Sequence, residues 1–160
     1  MQIQEDFATI KTSETFRDLV DQTYLVSCFL EDEENQKRWD YNFYNSLEKE
    51  VFSFSLENNL VVLKGKSPLA NTQTVPEELR IENLQSDQEE IFVLMKRTFL
   101  KEYTQDKILK IFAILEQKGE IFWSFLILLK NLQVVHMKIS DRTYEIVENT
   151  SVSMIKKEKK

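Results

Sequence analysis

The sequence of 160 residues is 42% hydrophobic and 30% charged, a composition that can bury the core of one domain and differs from that of disordered chains. Its net charge of −6 argues against broad attachment to nucleic acid, because such attachment depends on lysines and arginines that neutralise phosphates. Its one cysteine, Cys28, cannot form an internal disulfide, and its start has neither the basic flank nor the apolar segment of a secretory signal.

We therefore expect one intracellular domain, residues 1–160, that ends in a frayed basic tail at about 156–160. We expect no membrane span, because the longest apolar run is far shorter than the roughly 20 residues that a span requires.

At the N-terminal end, Ser13 is a good N-cap and precedes apolar residues at helical spacing, which predicts a helix over about 14–21. Residues 24–30 are rich in aromatic and β-branched side chains. They fit a buried strand, which we prefer, or a continuation of the helix. The run of acids at 31–34 predicts a solvated loop, since adjacent like charges repel and cannot be buried unpaired.

Residues 37–44 place three aromatic side chains on one side of an extended segment, next to two cations. Aromatics in this setting can stack unpaired bases, at about 1–3 kcal/mol per base, or form the centre of a protein interface. They can also fill the core from an edge strand. Because the preceding acids would repel phosphate, we expect a protein partner. The candidate partner-binding residues are Arg38, Trp39, Tyr41 and Phe43.

Residues 51–64 alternate between apolar and polar side chains on both sides of Asn58-Asn59, which predicts a β-hairpin. The expected cross-strand pairs are Phe54 with Leu63 and Leu56 with Val61. Residues 65–85 contain both prolines and predict a long loop that Leu79 and Ile81 anchor.

Two helices are predicted next. Ser86 and Glu89 form a capping box at the start of the first, and its apolar stripe runs from Ile91 to Phe99. The second is predicted over about 105–117, with Gly119 just past its end, where a left-handed residue is favoured.

Residues 119–148 predict three antiparallel strands around which the chain is organised. Two-residue turns at Lys130-Asn131 and Asp141-Arg142 set the register. That register pairs His136 with Phe125 and Lys138 with Glu145. One face is then apolar, with Phe122, Leu126, Leu128, Val135, Met137, Ile139, Tyr144 and Ile146. The first strand, 121–129, is apolar on both sides and is expected at the centre, and a short last strand is expected at 154–155.

Catalytic motifs are not evident. Two glycines cannot supply the loops that P-loop and dinucleotide sites require, and one histidine with one cysteine cannot assemble a common zinc site. The carboxylates, among them Glu77, Glu78, Glu89 and Glu90, are expected in loops and first helix turns. We therefore expect no enzymatic activity, no cofactor and no metal site, with a glycosidase-like or divalent-metal carboxylate pair as the alternative.

These elements make an α+β domain. Their order, with an entry segment over 16–30, is compatible with an OB barrel, which has five strands and a helix between the third and fourth. Over residues 14–148 the chain resembles the small OB-fold subunits of CST-type telomere complexes. These subunits are a class of small telomerase-associated proteins. The resemblance implies an antiparallel, barrel-like sheet with helices inserted before the last strand meander.

The resemblance also implies a function. It points to a nuclear, non-enzymatic accessory subunit that binds a partner protein in a nucleic-acid-handling complex, with weak or indirect contact to single-stranded nucleic acid. It assigns no functional residue. The alternative is an acidic regulator or inhibitor that binds another protein through a helix pair and β-wing at 86–148. Barrel closure would favour the first, and an open sheet the second. No internal repeat is evident.

Overall fold

The structure is a computed structural model that describes residues 2–19, 21–33, 36–69, 74–103 and 107–155. Helices and strands follow in the order α1 (Gln2–Thr12), α2 (Glu14–Arg17), β1 (Thr23–Glu33), β2 (Gln36–Asn45), β3 (Glu50–Glu57), β4 (Leu60–Pro68), a 3-10 turn (Ile81–Asn83), α3 (Gln88–Glu102), β5 (Ile108–Lys118), β6 (Glu120–Leu129), β7 (Gln133–Ser140) and β8 (Ile146–Ser153).

The strands form one antiparallel sheet of eight, in the order β4-β3-β2-β1-β5-β6-β7-β8. Among the described residues no pairing joins β4 to β8, so the sheet is open and the expected barrel-like closure is not observed. The α+β class is confirmed. The element order repeats: helix and four-stranded meander over 2–68, then again over 81–153, with β1 and β5 adjacent at the centre.

Both long helices pack on the same face of the sheet. Phe7 of α1 stacks on Phe43, and Phe92 of α3 packs edge-on against Trp123 and Phe125. The buried helix residues that complete this layer are Ile3, Ile10, Ile91, Met95 and Phe99. Together with Phe7 and Phe92 they are spaced three or four residues apart, which makes one apolar stripe on each helix.

The N-terminal region differs from the sequence-based prediction in two ways. The helix expected over 14–21 is only the short α2, which Ser13 caps as predicted, and it follows α1, which was not predicted. The strand expected at 24–30 is confirmed. It extends to Glu33, so residues 31–33 belong to β1 and are not a loop, whereas residue 34 lies outside the described residues. Glu31 is accommodated because it forms an ion pair with Lys110.

The helix predicted over 105–117 is wrong, because residues 108–117 belong to β5, whereas residues 105 and 106 lie outside the described residues. Every residue from 111 to 115 is apolar, so both a helical and an alternating period can be read from it. A central strand with apolar side chains on both faces explains the run, and Gly119, with φ of 74°, makes the β5–β6 turn and does not cap a helix.

The register predicted for the β6–β7 turn is wrong by one residue. The turn has three residues, with Leu132 at a φ of 64°, and His136 pairs with Leu126 where Phe125 was expected. A shift of one residue exchanges the faces of a strand. Val135, Met137 and Ile139 therefore share the helix-covered face with Trp123, Phe125 and Ile127, while Phe122, Leu126 and Leu128 lie on the opposite face.

Of the other local predictions, some are confirmed and some are wrong. The β3–β4 hairpin has the predicted pairs and two left-handed asparagines in its turn, and the anchors Leu79 and Ile81 are buried. Lys138 pairs with Glu148 and not with Glu145, because the β7–β8 turn is longer than two residues. The last strand is β8, which ends before the expected 154–155.

Candidate functional site

The face of the sheet opposite the helices, here called the open face, has two chemically different halves. Residues of successive strands line up across it, because the register fixes which side chains are neighbours. From β4 to β2 the side chains on this face are mostly polar, whereas β5, β6 and β7 contribute six apolar side chains to it, which lie among charged and polar ones.

The apolar half is a continuous surface on four adjacent strands. Phe112 pairs with Leu126, Leu128 with Val134, and the β1 residue Phe29 with Ile114. We call these residues and Phe122 the apolar surface. All seven side chains are half-buried, and no described helix covers them.

Charged groups lie against this surface. The Phe29 and Phe112 rings stack with centroids 5.7 Å apart, and Lys110 Nζ lies 5.5 Å from the Phe112 centroid. Lys138 Nζ lies 4.6 Å from the Phe122 centroid. Lys110 also pairs with Glu31, and its hydrogen bond holds the pKa of that carboxyl below its usual value. An apolar centre with charged groups at its rim is the arrangement found in protein interfaces.

Several polar side chains of the polar half bond to one another, although the buried Ser55 Oγ has no hydrogen-bond partner. Asn42 donates through Nδ2 to Ser27 Oγ at 3.1 Å and accepts from Ser53 Oγ, which links β1, β2 and β3 across the face. Asp40 accepts from Lys64 Nζ at 2.8 Å. This half offers few free hydrophobic contacts to a partner.

Three of the four residues predicted to bind a partner face the helices. Trp39, Tyr41 and Phe43 are 3%, 0% and 1% exposed, because β2 is an inner strand between β1 and β3 and not an edge. Trp39 packs edge-on against Trp123 at 6.1 Å, which joins the cores of the two halves of the chain. The expectation that these aromatics remain outside the core is wrong. Arg38 is exposed, and a role for it in partner binding stays a prediction.

Tyr41 holds α1 to the sheet. Its hydroxyl donates to Asp6 Oδ2 at 2.8 Å, and burial raises the pKa of both groups. The neighbouring Cys28 is fully buried, and burial raises the pKa of its thiol. A buried, protonated thiol is a poor nucleophile.

His136 lies on the open face, whereas Cys28 faces the helices, so the fold does not bring the two together. His136 Nδ1 lies 3.1 Å from Glu148 Oε1 on β8. This pair borders the apolar surface, because His136 is the cross-strand partner of Leu126.

A buried carboxylate that sequence reasoning missed attaches α3. Asp141, in the β7–β8 turn, accepts from the backbone N–H of Gln85 at 2.8 Å and of Ser86 at 3.2 Å, from the Ser86 hydroxyl, and from Trp123 Nε1 at 3.1 Å. We call this group the Asp141 clamp. Ser86 is thus used in the clamp, and the N-cap of α3 is Asp87, one residue beyond the predicted capping box.

Three of the four carboxylates named from the sequence bond to groups that are not carboxylates, and Glu77 has a second donor in Gln117 Nε2 at 3.3 Å. Glu77 accepts from the Gly119 N–H at 2.9 Å, Glu78 lies 3.7 Å from Arg80, and Glu90 accepts from the Tyr144 hydroxyl at 2.9 Å. Within the described ranges no group of three or more histidine, cysteine or acidic side chains is placed to hold a metal ion.

Comparisons with known proteins add little. No family model and no curated protein matches the chain. Among solved structures it is similar to one described as a "putative lipoprotein" from Clostridium difficile 630, with 13% sequence identity, a TM-score of 0.48, and coverage of 86% of this chain and 88% of that one. A likeness of this size carries no argument about function. In the part of the chain that the structure describes, no helix has the length and apolar character needed to cross a membrane.

Proposed function

We propose that this protein is a non-enzymatic accessory subunit that binds a partner protein on the apolar surface. The observation that carries the proposal is the set of seven half-buried apolar side chains on β1, β5, β6 and β7 that no described helix covers. Soluble domains rarely leave a continuous apolar area uncovered unless another molecule binds it.

The residue types support a protein as the partner. Three phenylalanines stand among aliphatic side chains, and aromatic residues are enriched at the centres of protein interfaces. The ion pair of Lys110 with Glu31 and the polar pair of His136 with Glu148 lie at the border of this area. Such a border excludes water from the centre of an interface and itself contributes little binding energy.

The setting of this partner comes from the sequence resemblance alone. It would be a nucleic-acid-handling complex in the nucleus, of the kind that maintains telomeres, with an OB-like barrel as the fold. The element order gives this setting no support, since an OB barrel has five strands and a helix between the third and fourth, whereas α3 lies between the fourth and fifth of eight strands. The open sheet is the outcome that favours the alternative regulator, but the helix pair on which that regulator is built loses its second helix, which is β5.

The proposal is tested by capture of partners from the source cell with three forms of the tagged chain. Leu126→Lys places a charge at the centre of the apolar surface, and the matched control Ser53→Lys places the same charge on the polar half of the same face. We expect the wild type and Ser53→Lys to capture the same protein and Leu126→Lys to lose it. Equal capture by all three folded forms would contradict the proposal.

A further inference from the structure

The two edges of the sheet differ in how they are protected. β4 contains Lys64, Gly65 and Lys66, has a register irregularity opposite Ser53, and ends at Pro68. Cations, bulges and proline are features that prevent an edge strand from pairing with another chain. β8, Ile-Val-Glu-Asn-Thr-Ser-Val-Ser, contains no lysine, arginine, glycine or proline.

β8 has one register irregularity, at Val147, and its outer edge is regular beyond it. Residues 148–153 pair with β7 without interruption, and the one charged side chain, Glu148, is already engaged by His136. Val152 is 66% exposed. A regular edge whose one charge is already paired is a template for a further strand.

The register shows which backbone groups point outward. The Met154 N–H donates to the Leu132 carbonyl, and this pair continues the alignment that joins Val152 to Val134. Hydrogen-bonded pairs alternate along an antiparallel ladder. Even-numbered residues of β8 therefore bond to β7, and Asn149, Ser151 and Ser153 direct their N–H and C=O groups away from the sheet.

We propose that β8 pairs with β8 of a second copy of this chain, antiparallel and centred on Thr150. In this register the backbone of Asn149 bonds with that of Ser151 of the other copy. Glu148 faces Val152 of the other copy, so the two Glu148 carboxylates do not face each other. Thr150 faces Thr150 in a non-hydrogen-bonded pair, a favourable cross-strand contact. Sequence and geometry are thus self-complementary, as a two-fold interface requires.

A second copy fits this edge better than an unrelated strand because pairing closes the assembly. The two sheets become one, with the helices of both copies on the same side, and the outer edges are then both β4, the protected strand. Neither copy is left with an edge that can extend the sheet further. The site is distinct from the apolar surface, so this proposal can fail while the proposed function holds.

The test is sedimentation velocity of the full chain over the micromolar range. We expect the wild type to be a dimer. Ser151→Pro removes an outward N–H and none of the bonds to β7, whereas the control Ser151→Ala keeps that N–H. We expect the proline to weaken the dimer at least about tenfold, which corresponds to about 1.4 kcal/mol, and alanine to leave it unchanged. A monomeric wild type, or equal dimerisation of both variants, would overturn the proposal.

A second experiment covers the case in which the proline variant is unstable. Facing residues of a non-hydrogen-bonded pair have Cα atoms about 4.5 Å apart, within the range that a disulfide spans. In Thr150→Cys, oxidised glutathione should therefore join two copies, while Cys28 is buried and does not react. The control Glu148→Cys faces Val152 and should not cross-link. Absence of the Thr150→Cys cross-link, or equal cross-linking of both, would overturn the register.

Discussion

Residues 2–68 and 81–153 have the same order of elements but different chemistry on the open face. In the first half, Asn42, Ser27 and Ser53 bond to one another across three strands. In the second, Phe112 and Leu126 occupy a comparable inner position on the sheet. The helix-covered faces of both halves are apolar. The fold therefore requires only one apolar face, and we attribute the apolar side chains on the other face of β5–β7 to the proposed partner binding.

The halves also attach their helices differently. One hydrogen bond, from Tyr41 to Asp6, joins α1 to the sheet, whereas the Asp141 clamp joins the start of α3 through four donors. Mutations at these points should therefore have effects of different size.

The largest loss of stability is expected where the two cores meet. Trp39→Ala removes a side chain that is 3% exposed and packs on Trp123. We expect a loss of about 3–5 kcal/mol in the free energy of unfolding, measured with urea. A loss below about 1 kcal/mol would show that the aromatics of β2 are not core.

Asp141→Ala should have the next largest effect. It leaves the backbone N–H groups of Gln85 and Ser86 without their acceptor, whereas Trp123 Nε1 keeps the Ser86 hydroxyl at 3.0 Å, and each stranded buried donor costs about 1–3 kcal/mol. Asp141→Asn, which keeps one acceptor oxygen, should lose less. Equal stability of the alanine variant and the wild type in urea unfolding would show that the Asp141 clamp does not stabilise the fold.

Asp6→Ala should cost about 1 kcal/mol, the value of one hydrogen bond. Burial raises the pKa of Asp6 above 3.8, so its contribution to stability is full below the unfolded pKa and is lost as pH rises through the folded pKa. Asp6→Asn keeps the acceptor and should flatten this part of the pH profile of unfolding. The hydrogen bond from Lys110 lowers the pKa of Glu31, so the contribution of Glu31 to stability is lost as pH falls through its folded pKa. Glu31→Gln should therefore remove a pH dependence of the opposite sign. If the slope of the unfolding free energy against pH is unchanged in Asp6→Asn, Asp6 is not the group responsible for this pH dependence.

The smallest effect on stability is expected on the open face. Leu126 is half-buried, so Leu126→Lys should cost about 1 kcal/mol or less, similar to Ser53→Lys. Thermal unfolding of both variants checks this expectation. A loss of several kcal/mol in Leu126→Lys alone would mean that this face is core.

Binding of single-stranded DNA should be weak in every form of the chain, because the net charge is −6. Fluorescence anisotropy at physiological salt checks this. Salt-sensitive binding in the submicromolar range would contradict it and would favour the nucleic-acid reading of the sequence.

Local signals predicted part of this architecture. Asn58-Asn59 fixed the β3–β4 hairpin because few other residues adopt the left-handed turn it needs. The β6–β7 turn gave no such signal, since Leu132 adopts a left-handed conformation that leucine rarely takes. The register error that followed combined residues of two faces into one, and for that reason the apolar surface could not be recognised from the sequence.

The candidate site was misplaced for a related reason. Trp39, Tyr41 and Phe43 alternate as in any half-buried strand, and the sequence does not say whether that strand is an edge or an inner one. Sheet order decides it, and sheet order depends on contacts between residues far apart in the chain, such as Leu30 with Ala113. Phe112 and Ile114 were hidden because their segment fits a helix equally well.

Hydroxyl-radical footprinting of the chain, free and bound to its captured partner, tests most directly whether the partner binds on the apolar surface. Phe29, Phe112, Phe122 and Leu126 report on the apolar surface, and Leu60, 69% exposed at the β3–β4 turn, reports on the first half. We predict that oxidation of the first four falls on binding while that of Leu60 is unchanged. Protection of Leu60 with unchanged oxidation of Phe112 and Leu126 would show that the partner does not bind on the apolar surface.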